Sequence, residues 1–360
     1  MMNRQIIAKR TTEIRRQLKR RKISCLIVAR PANVTYATGF MGQDSWAAVT
    51  NNRTYLLTDS RYTEQAQKEC PNSTLIERKG SMPQAVADLA AGLKSVRTIT
   101  VEKSISLADF ERLQAKLKKK LKSVDGIIEA IRSTKQAREI AAIKASGAIS
   151  AKALQQTLPH IKPGITEIEL AGLLDLQIRR AGAANSFDTI VAFGPNASRP
   201  HHQPGKQKLK QKDTLLIDFG AKYKGYCSDI TRCFAIGGAT PFFRRVFDAV
   251  EKAQTAAIKA IGPGVKLTTV DSAARDAIRQ ADLPVYAHGT GHGLGLEIHE
   301  KPFLKPDTKE TLKVGQVITI EPGIYIPGKL GVRIEDDVLV TETGGRVLTR
   351  QCPHNPILGR

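Results

Sequence analysis

Hydrophobic and polar residues follow strand-like and helix-like spacings in turn along the first third of the chain. Short apolar runs predict strands at residues 23–29, 46–50, 54–58 and 98–102. Apolar residues three or four positions apart predict helices at residues 1–22, 62–69, 82–93 and 107–122. Strands alternating with helices of this length are typical of a small α/β domain, which we place at residues 1–133.

The rest of the chain, residues 134–360, favours long helices followed by strand pairs. Helices are predicted at residues 137–158, 167–181, 241–261 and 268–281, and Pro-Gly pairs follow the first and the third. Strands are predicted at residues 185–193, 214–219 and 226–234, with a tight hairpin connection at 222–225. We therefore expect an α/β (α+β) protein with two domains, 1–133 and 134–360, as the length of 360 residues allows.

The charge of the chain raises the question of a nucleic-acid partner. Lysine and arginine number 56 against 34 acidic residues, a formal net charge of +22, and such a surface can bind phosphate backbones nonspecifically. However, the lysines of residues 116–122 are expected on the solvated face of the helix predicted at 107–122. Neither zinc-finger spacing nor a recognition helix accompanies the charge, so nucleic-acid binding is disfavoured.

Composition also argues against a membrane-spanning or secreted protein. The chain has no run of about 18 or more apolar residues and no apolar signal-peptide core. Its five cysteines are odd in number and scattered, without a CxxC pair. Reduced thiols and a cytoplasmic location are the expectation.

Four carboxylates and one histidine stand out in the second half, each within a short distinctive stretch. The set is too anionic for a structural zinc, which favours closed Cys/His tetrahedra. Oxygen-rich ligation with one histidine suits two hard or borderline divalent ions that share carboxylates. Such a pair activates water and polarises a carbonyl, so the set predicts metal-assisted hydrolysis. Its members are Asp218 in Leu-Ile-Asp-Phe-Gly, Asp229 in Ser-Asp-Ile-Thr-Arg, His292 in His-Gly-Thr-Gly-His-Gly, Glu321 in Ile-Glu-Pro-Gly and Glu335 in Arg-Ile-Glu-Asp-Asp.

The carboxylates occur in pairs that bracket strand connections. Asp218 and Asp229 flank the predicted hairpin, whose antiparallel arms place residues side by side. A single Asp is more often a turn or capping residue, but two carboxylates on mostly apolar strands need buried partners. Glu321 and Glu335 repeat the arrangement across a connection with two Pro-Gly pairs.

Four neighbours of these carboxylates are predicted not to be ligands. Cys227 and Cys233 flank Asp229 but are expected to pack in the interior, since the carboxylates already fill the ligand set. Asp336 is expected on the opposite face of its strand from Glu335. Both Asp336 and Asp337 are interpreted as outer-shell partners or as solvated residues.

Five of the seven histidines lie near these motifs: His201, His202, His288, His292 and His299. Glycines at 291, 293 and 295 are expected to allow the backbone around His292 to approach a ligand closely. His201 and His299 are candidates to hold a substrate or to stabilise a developing oxyanion.

Together these stretches resemble the pita-bread metallopeptidases, the family of aminopeptidase P, prolidase, methionine aminopeptidase and the metal-free creatinase. Residues 1–133 resemble the creatinase/prolidase N-terminal domain in the stretches Asn33-Val-Thr-Tyr-Ala-Thr-Gly-Phe40 and Thr58-Asp-Ser-Arg-Tyr62. Residues 134–360 resemble the catalytic domain. The resemblance implies a small α/β N-terminal domain plus a C-terminal pita-bread domain, and it suggests a homodimer.

The resemblance also implies roles for the ligand set. Asp229 and Glu335 would bridge two metal ions, Asp218 would complete one ion, and His292 with Glu321 would complete the other. Glu321 would also handle the proton of the attacking water.

Further catalytic and substrate-binding residues follow from the same resemblance. His201 and His299 would contact the substrate and stabilise the intermediate. His288 and Arg333 would shape the substrate pocket, with an outer-shell role as the alternative for Arg333. Two departures from the family pattern are His202, often a small residue in relatives, and the lysine-rich segment after Pro204. Both are expected to affect how longer peptides enter.

The resemblance favours the proline-specific branch, because methionine aminopeptidases lack the N-terminal domain and creatinase lacks the metal ligands. We expect an Xaa-Pro aminopeptidase, acting on peptides with proline at the second position, or an Xaa-Pro dipeptidase. Two divalent ions are the implied cofactor, with manganese favoured and cobalt, zinc or iron also compatible. The alternatives are an inactive pita-bread binding module for nucleic acid or protein, and hydrolysis of another C–N or P–O bond.

Overall fold

The computed structural model describes residues 4–358 and contains two compact units, with the boundary between Arg132 and Ser133. Both units mix helices and strands, so the predicted α/β (α+β) class is confirmed.

The first unit is built on a six-stranded sheet in the order β4-β3-β2-β1-β5-β6. The central strand β1 pairs antiparallel with β2 and parallel with β5. Helix α2 begins with Pro31 in its first turn and ends at Gly39, whose φ of 87° is the left-handed conformation that favours glycine. The elements are α1 Arg4–Arg20, β1 Cys25–Val28, α2 Pro31–Thr38, β2 Trp46–Thr50, β3 Thr54–Thr58, α3 Thr63–Glu69, β4 Thr74–Glu77, α4 Met82–Gly92, β5 Thr98–Glu102, α5 Leu107–Lys116, β6 Lys120–Val124 and α6 Ile127–Arg132.

The prediction of one helix over residues 107–122 is wrong in its last turn and a half. Helix α5 ends at Lys116, and the following Leu117 has an extended backbone with φ −79° and ψ 127°. Strand β6 then pairs in parallel with β5 at the edge of the sheet. The alternation of lysine with leucine and valine in this segment fits a strand period of two as well as a helical face. Pairing with β5 decides between them.

The second unit contains two helix pairs, α7 with α8 and α9 with α10, together with strands in four sheets. All four helices start and end within two residues of the predicted bounds. The predicted strands at 185–193 and 226–234 are each two separate strands, and the connection predicted at 222–225 shortens to a turn at 224–225. The elements are α7 Ala137–Thr157, α8 Glu167–Arg180, β7 Ala184–Asn185, β8 Ile190–Phe193, β9 Thr214–Phe219, β10 Ala221–Tyr223, β11 Tyr226–Cys227, β12 Ile230–Ile236, α9 Pro241–Lys259, α10 Leu267–Gln280, β13 Gly291–Gly293, β14 Glu300–Leu304, β15 Val317–Ile320, β16 Gly323–Ile326, β17 Leu330–Arg333, β18 Asp336–Thr341, β19 Gly344–Val347 and β20 Ile357–Leu358.

Two antiparallel pairings determine where the chemically distinctive side chains lie. Strands β9 and β12 pair with Asp218 opposite Thr231. Strands β15 and β18 pair as far as Ile320 opposite Asp336, so Glu321 and Glu335 lie just beyond the paired ends. Two apolar clusters support the sheets, one around α9 and α10 and the other around α7 and α8. Because burial of a Val, Leu or Ile side chain stabilises by roughly 1.5–3 kcal/mol, these clusters hold the strand ends rigidly.

Candidate active site

The structure brings the five predicted metal ligands together from separate elements. Asp218 lies in β9, Asp229 immediately precedes β12, His292 lies in β13, Glu321 directly follows β15, and Glu335 stands between β17 and β18. All five line one cavity of about 690 Å³. The other predicted site residues line the same cavity, namely His201, His288, His299 and Arg333.

Donor atoms crowd together at the base of this cavity. One ligand atom each from Asp229, His292 and Glu335 lies within 4.8 Å of the other two, and all three residues are buried. The Nε2 atom of His292 lies 3.6 Å from Asp229 Oδ2 and 3.4 Å from Glu321 Oε1. The buried Oδ1 atom of Asp218 has no hydrogen-bond partner among residues 4–358. A buried carboxylate oxygen without a donor is costly, so this oxygen-rich set fits divalent cations.

The raised pKa values of the clustered carboxyls also indicate a cation site. Burial, followed by repulsion from neighbouring carboxylates, raises the pKa of Asp229 and of Glu335 well above the ordinary range. Burial also raises the pKa of Glu321 to about 7, although the charge of Arg333 opposes the shift. Carboxylates held this close either retain protons or bind a cation, and a bound cation would offset their mutual repulsion.

His292 is prepared for ligation through one particular nitrogen. Burial and the neighbouring His299 lower the pKa of His292 to about 3, so the ring is neutral. Its Nδ1 lies 3.1 Å from the carbonyl of Gly293 and donates to it. The lone pair on Nε2 therefore faces Asp229 and Glu321, in the arrangement typical of metal-binding histidines.

Two threonines that sequence reasoning missed hold the carboxylates. Thr231 Oγ1 donates to Glu335 Oε2 at 2.6 Å, and Thr319 Oγ1 lies 3.4 Å from Glu321 Oε1. The signal was available in part, because Thr319 precedes Glu321 by two positions and so shares its face of the strand. Thr231 follows Asp229 by two positions and gave the same signal, but its bond to Glu335, 104 positions away, needed the tertiary structure.

Tyr325 was also missed, and it joins the two predicted pocket residues. Arg333 Nη1 donates to the Tyr325 hydroxyl at 2.8 Å, and that hydroxyl lies 3.0 Å from His288 Nε2. Since His288 Nδ1 donates to the carbonyl of Gly289 at 2.7 Å, Nε2 accepts from Tyr325. Burial lowers the pKa of His288 to about 4, which keeps the ring neutral.

Asp336 and Asp337 are buried, so the interpretation that they are solvated is wrong. Asp336 accepts from Arg232 at 2.7 Å, from Thr349 at 2.7 Å and from Gln254 at 3.0 Å, and it lines a different cavity from Glu335. Asp337 Oδ2 accepts from the backbone N–H of Asp229 at 3.3 Å. Both therefore anchor the strands that carry the ligands.

The glycines on either side of His292 are required by the close approach of neighbouring strands. A Cβ atom at Gly291 would lie 1.9 Å from the carbonyl oxygen of Thr319, and one at Gly293 would lie 2.3 Å from that of Lys301. The glycines thus admit the backbones of the flanking strands β15 and β14. Gly291 also lines the cavity, and the expectation that these glycines let the backbone approach a ligand stays a prediction.

The cysteines beside Asp229 are free and buried, as are the other three. The thiol of Cys233 donates to the carbonyl of Arg333 at 3.3 Å. These thiols pack within the fold.

Comparison with known proteins now places the chain. Residues 141–342 match Metallopeptidase family M24, and residues 10–134 match the Creatinase/Prolidase N-terminal domain. The uncharacterized peptidase YqhT of Bacillus subtilis is 36% identical over 337 residues, covering 93% of this chain and 94% of its own.

Solved structures give the same result. The Xaa-Pro dipeptidase from Bacillus anthracis is 32% identical with a TM-score of 0.93, covering 98% of this chain and 100% of its own. The X-Pro aminopeptidase from Thermotoga maritima MSB8 is 35% identical with a TM-score of 0.87, covering 95% of this chain and 99% of its own. The prolidase from Pyrococcus horikoshii OT3 is 30% identical with a TM-score of 0.89, covering 97% and 100%.

The chain belongs to metallopeptidase family M24. The resemblance to the pita-bread metallopeptidases is confirmed, and with it the small N-terminal α/β domain and the C-terminal pita-bread domain. Family membership makes the protein a peptidase that uses divalent metal ions. No helix within residues 4–358 is both long and apolar enough to cross a membrane.

Proposed function

We propose that this peptidase cleaves next to proline, either by releasing the N-terminal residue from peptides with proline at the second position or by splitting Xaa-Pro dipeptides. The observation that carries the proposal is the convergence of every predicted site residue on one cavity. Solved relatives described as Xaa-Pro dipeptidase and X-Pro aminopeptidase support both forms of the activity.

Two divalent ions are the proposed cofactor. Asp218, Asp229, His292, Glu321 and Glu335 would hold them, with Asp229 and Glu335 shared between the two. When bound, such a pair activates water and polarises the scissile carbonyl. Manganese is our preferred ion because four of the five donors are carboxylates, while cobalt, zinc and iron also suit such donors.

Glu321 is the proposed proton-handling group. Its partly exposed carboxyl faces the cavity next to His292, and in the protein without metal its pKa is raised to about 7. A divalent cation bound beside this carboxyl would lower its pKa and keep it ionised, so that it can accept a proton from water. Glu321 would take the proton from water and pass it to the departing proline nitrogen.

His201 and His299 are proposed to contact the substrate carbonyl. Both line the cavity and both are exposed within it. Burial of the site lowers the pKa of His299, so its ring is neutral and can donate an N–H to a developing oxyanion.

The substrate pocket has an apolar side suited to a proline ring. Phe187, Ile190, Ile298 and Phe303 line the cavity together with His288 and Arg333. Apolar walls with a few fixed polar groups are typical of small-ligand sites. We propose that His288 and Arg333, held through Tyr325, orient the peptide against these walls.

A peptide-length series tests the proposal. The purified protein would be stripped with a chelator, reloaded with manganese, cobalt or zinc, and assayed on Ala-Pro, Ala-Pro-Ala and Ala-Pro-Ala-Ala, with Ala-Ala-Ala as the control. We expect cleavage only of the Xaa-Pro bond and only after reloading, with metal content measured on the same samples. A metal-replete protein that cleaves none of the proline peptides would refute the proposal.

The alternative is an inactive binding module, for which the net charge of +22 is the supporting feature. The complete ligand set favours the peptidase, because a module without catalysis would usually have lost ligands. Binding of nucleic acid at physiological salt without peptidase activity would favour the alternative. A homodimer and a cytoplasmic location stay predictions, and light scattering of the eluted protein would test the first.

A further inference from the structure

Glu167 is a buried carboxylate outside the ligand set, and within the described part of the chain its side chain accepts hydrogen bonds only from residues 193–205, the segment that contains His201. Glu167 begins α8 and its side chain is fully buried. It accepts four hydrogen bonds. Oε1 accepts from Phe193 N at 2.9 Å and from Asn196 Nδ2 at 2.8 Å, while Oε2 accepts from His202 Nε2 at 2.9 Å and from Gly205 N at 3.0 Å.

The four donors stand on both sides of His201. Phe193 and Asn196 lie where the chain leaves β8, and His202 and Gly205 lie where it returns towards α8. One carboxylate thus closes the connection of residues 194–204 at both ends. The return is also fixed by the backbone, since the N–H of Ile168 donates to the carbonyl of Gly205 at 3.1 Å.

The cavity side of this connection is fixed by β17. A Cβ atom at Gly331 would lie 1.8 Å from the carbonyl oxygen of Ala197, so glycine is needed for the close approach. Arg333 Nη1 lies 3.5 Å from the carbonyl of Pro200, the residue before His201. The connection is therefore held between Glu167 on one side and the strand that ends at Arg333 on the other.

The His201 side chain has no hydrogen-bond anchor of its own within residues 4–358. Its ring forms no hydrogen bond or ion pair with any residue of the described range 4–358, and it is exposed in the cavity. The position of its ring is therefore set by the backbone on either side. A shift of about 1 Å in a substrate-positioning group can lower a rate on the order of a hundredfold.

Glu167 is suited to this task as a charged group. Burial acts to raise its pKa, but the donors from His202, Asn196, Phe193 and Gly205 outweigh burial, and the pKa is lowered. The ionised carboxylate can only accept, so His202 Nε2 carries the hydrogen it donates. Hydrogen bonds to an ionised group are about twice as strong as those between neutral groups.

We propose that Glu167 and His202 are positioning residues that fix His201 relative to the cluster of Asp218, Asp229, His292, Glu321 and Glu335. This inference rests on the proposed function, since it assigns His201 a contact with substrate. His202 directly follows His201 and supplies a side-chain donor to Glu167, so it tightens the connection next to the ring that it is proposed to position.

The test uses His202→Gly, His202→Gln and Lys206→Ala in the metal-loaded full chain. His202→Gly removes the donor, His202→Gln keeps an N–H that can reach Glu167, and Lys206→Ala changes an exposed neighbour that does not contact Glu167. With Ala-Pro-Ala as substrate, we expect His202→Gly to lower kcat by about threefold to tenfold, at unchanged metal content. His202→Gln should recover most of the loss, and Lys206→Ala should match the original protein.

A double-variant comparison separates positioning from general structural weakening. If His202 acts through His201, the effect of His202→Gly on kcat disappears when His201 is already alanine. An equal loss of kcat with and without the His201 ring would overturn the inference, as would a His202→Gly protein with the original kcat.

Hydrogen exchange of the backbone amides in residues 193–205 provides a readout that needs no substrate. His202→Gly should speed exchange in this segment, and Lys206→Ala should not. Unchanged exchange would overturn the inference whatever the activity. Faster exchange in a protein that cleaves no proline peptide would overturn the proposed function and the role of His201, while supporting the contact between His202 and Glu167.

Discussion

Arg333 and Asp218 form a buried ion pair, with Arg333 Nη2 2.6 Å from Asp218 Oδ2. The same guanidinium donates to Thr231 Oγ1 at 3.1 Å and to the Tyr325 hydroxyl at 2.8 Å. Since Thr231 donates to Glu335, one cation orients two carboxylates of the ligand set and a tyrosine that contacts His288. Arg333 therefore lines the cavity and also holds a predicted metal ligand, so its geometry is compatible with both roles that its sequence position left open.

Replacing the Arg333 guanidinium with a lysine ammonium tests whether Arg333 acts on both the metal ligands and the substrate. Arg333→Lys keeps the charge but loses the planar fork that reaches three partners. We expect kcat to fall by about tenfold to a hundredfold and metal retention during dialysis against a chelator to weaken. The exposed Arg346→Lys is the matched control. A rise in KM alone, with full metal retention, would mean that Arg333 acts only on the substrate.

Glu321→Gln should nearly abolish turnover while leaving the fold intact. The amide cannot accept a proton from water, and loss of a general base lowers a rate typically by about a hundredfold to ten-thousandfold. The rate on Ala-Pro-Ala, the circular dichroism spectrum and the metal content should be measured together. An active variant with its full complement of metal would contradict the proposed role.

Metal binding should release protons near neutral pH. Without metal the pKa of Glu321 is about 7 and those of Asp229 and Glu335 are raised by burial and mutual repulsion. These carboxyls hold protons that a divalent ion must displace, so affinity should rise with pH between about 6 and 8. Titration calorimetry with manganese in two buffers of different ionisation enthalpy measures the released protons. Heats that do not depend on the buffer would contradict this prediction.

The first unit should lose stability as pH rises, because of Glu102. Burial raises the pKa of this carboxyl from an ordinary 4.5 to about 7, so the folded state favours the protonated form. The contribution is present in full below pH 4.5 and is lost as pH rises through 7. The difference in the Glu102 pKa between the folded and unfolded states contributes about 3 kcal/mol to the free energy of unfolding at low pH.

Trp46 is the single tryptophan and lies in β2 of the same unit, so its fluorescence during urea unfolding reports on this unit alone. We expect the free energy of unfolding to fall between about pH 5 and pH 8. In Glu102→Gln this pH dependence should be lost, even if the variant is less stable throughout. The same slope in both proteins would assign the effect to other groups.

Local patterns in the sequence were enough for the long helices and for the reversal of the chain at 224–225, but not for the division of residues 226–234 into β11 and β12. The bounds of α7, α8, α9 and α10 follow from periodic apolar residues and from Pro-Gly stops. Segment 107–122 shows where this reasoning fails. Its lysines and leucines satisfy two periods at once, and only the presence of β5 alongside makes the last part a strand.

Local sequence patterns could not predict contacts between residues that are far apart in the chain. The glycines at 291 and 293 were assigned to a ligand from their motif, and only the fold showed that they also accommodate strands β15 and β14. Tyr325 and Glu167 carried no motif, and Thr231 lay in the stretch Ser-Asp-Ile-Thr-Arg without an assigned role. Each acquires its role from a partner brought near by folding, such as Thr231 and Glu335 or Glu167 and His202.

The sequence by itself determined the chemical character of the site, because the number and kind of its donor groups are properties of the residues and of their family pattern. It also determined the helices and hairpins, because these depend on neighbours within a few positions. Only the tertiary structure decided which nitrogen of His292 faces the carboxylates, which side chains hold Asp218 and Glu335, and how the His201 connection is fixed. Those outcomes depend on hydrogen bonds and packing between residues far apart in the chain, which exist only once the strands have paired.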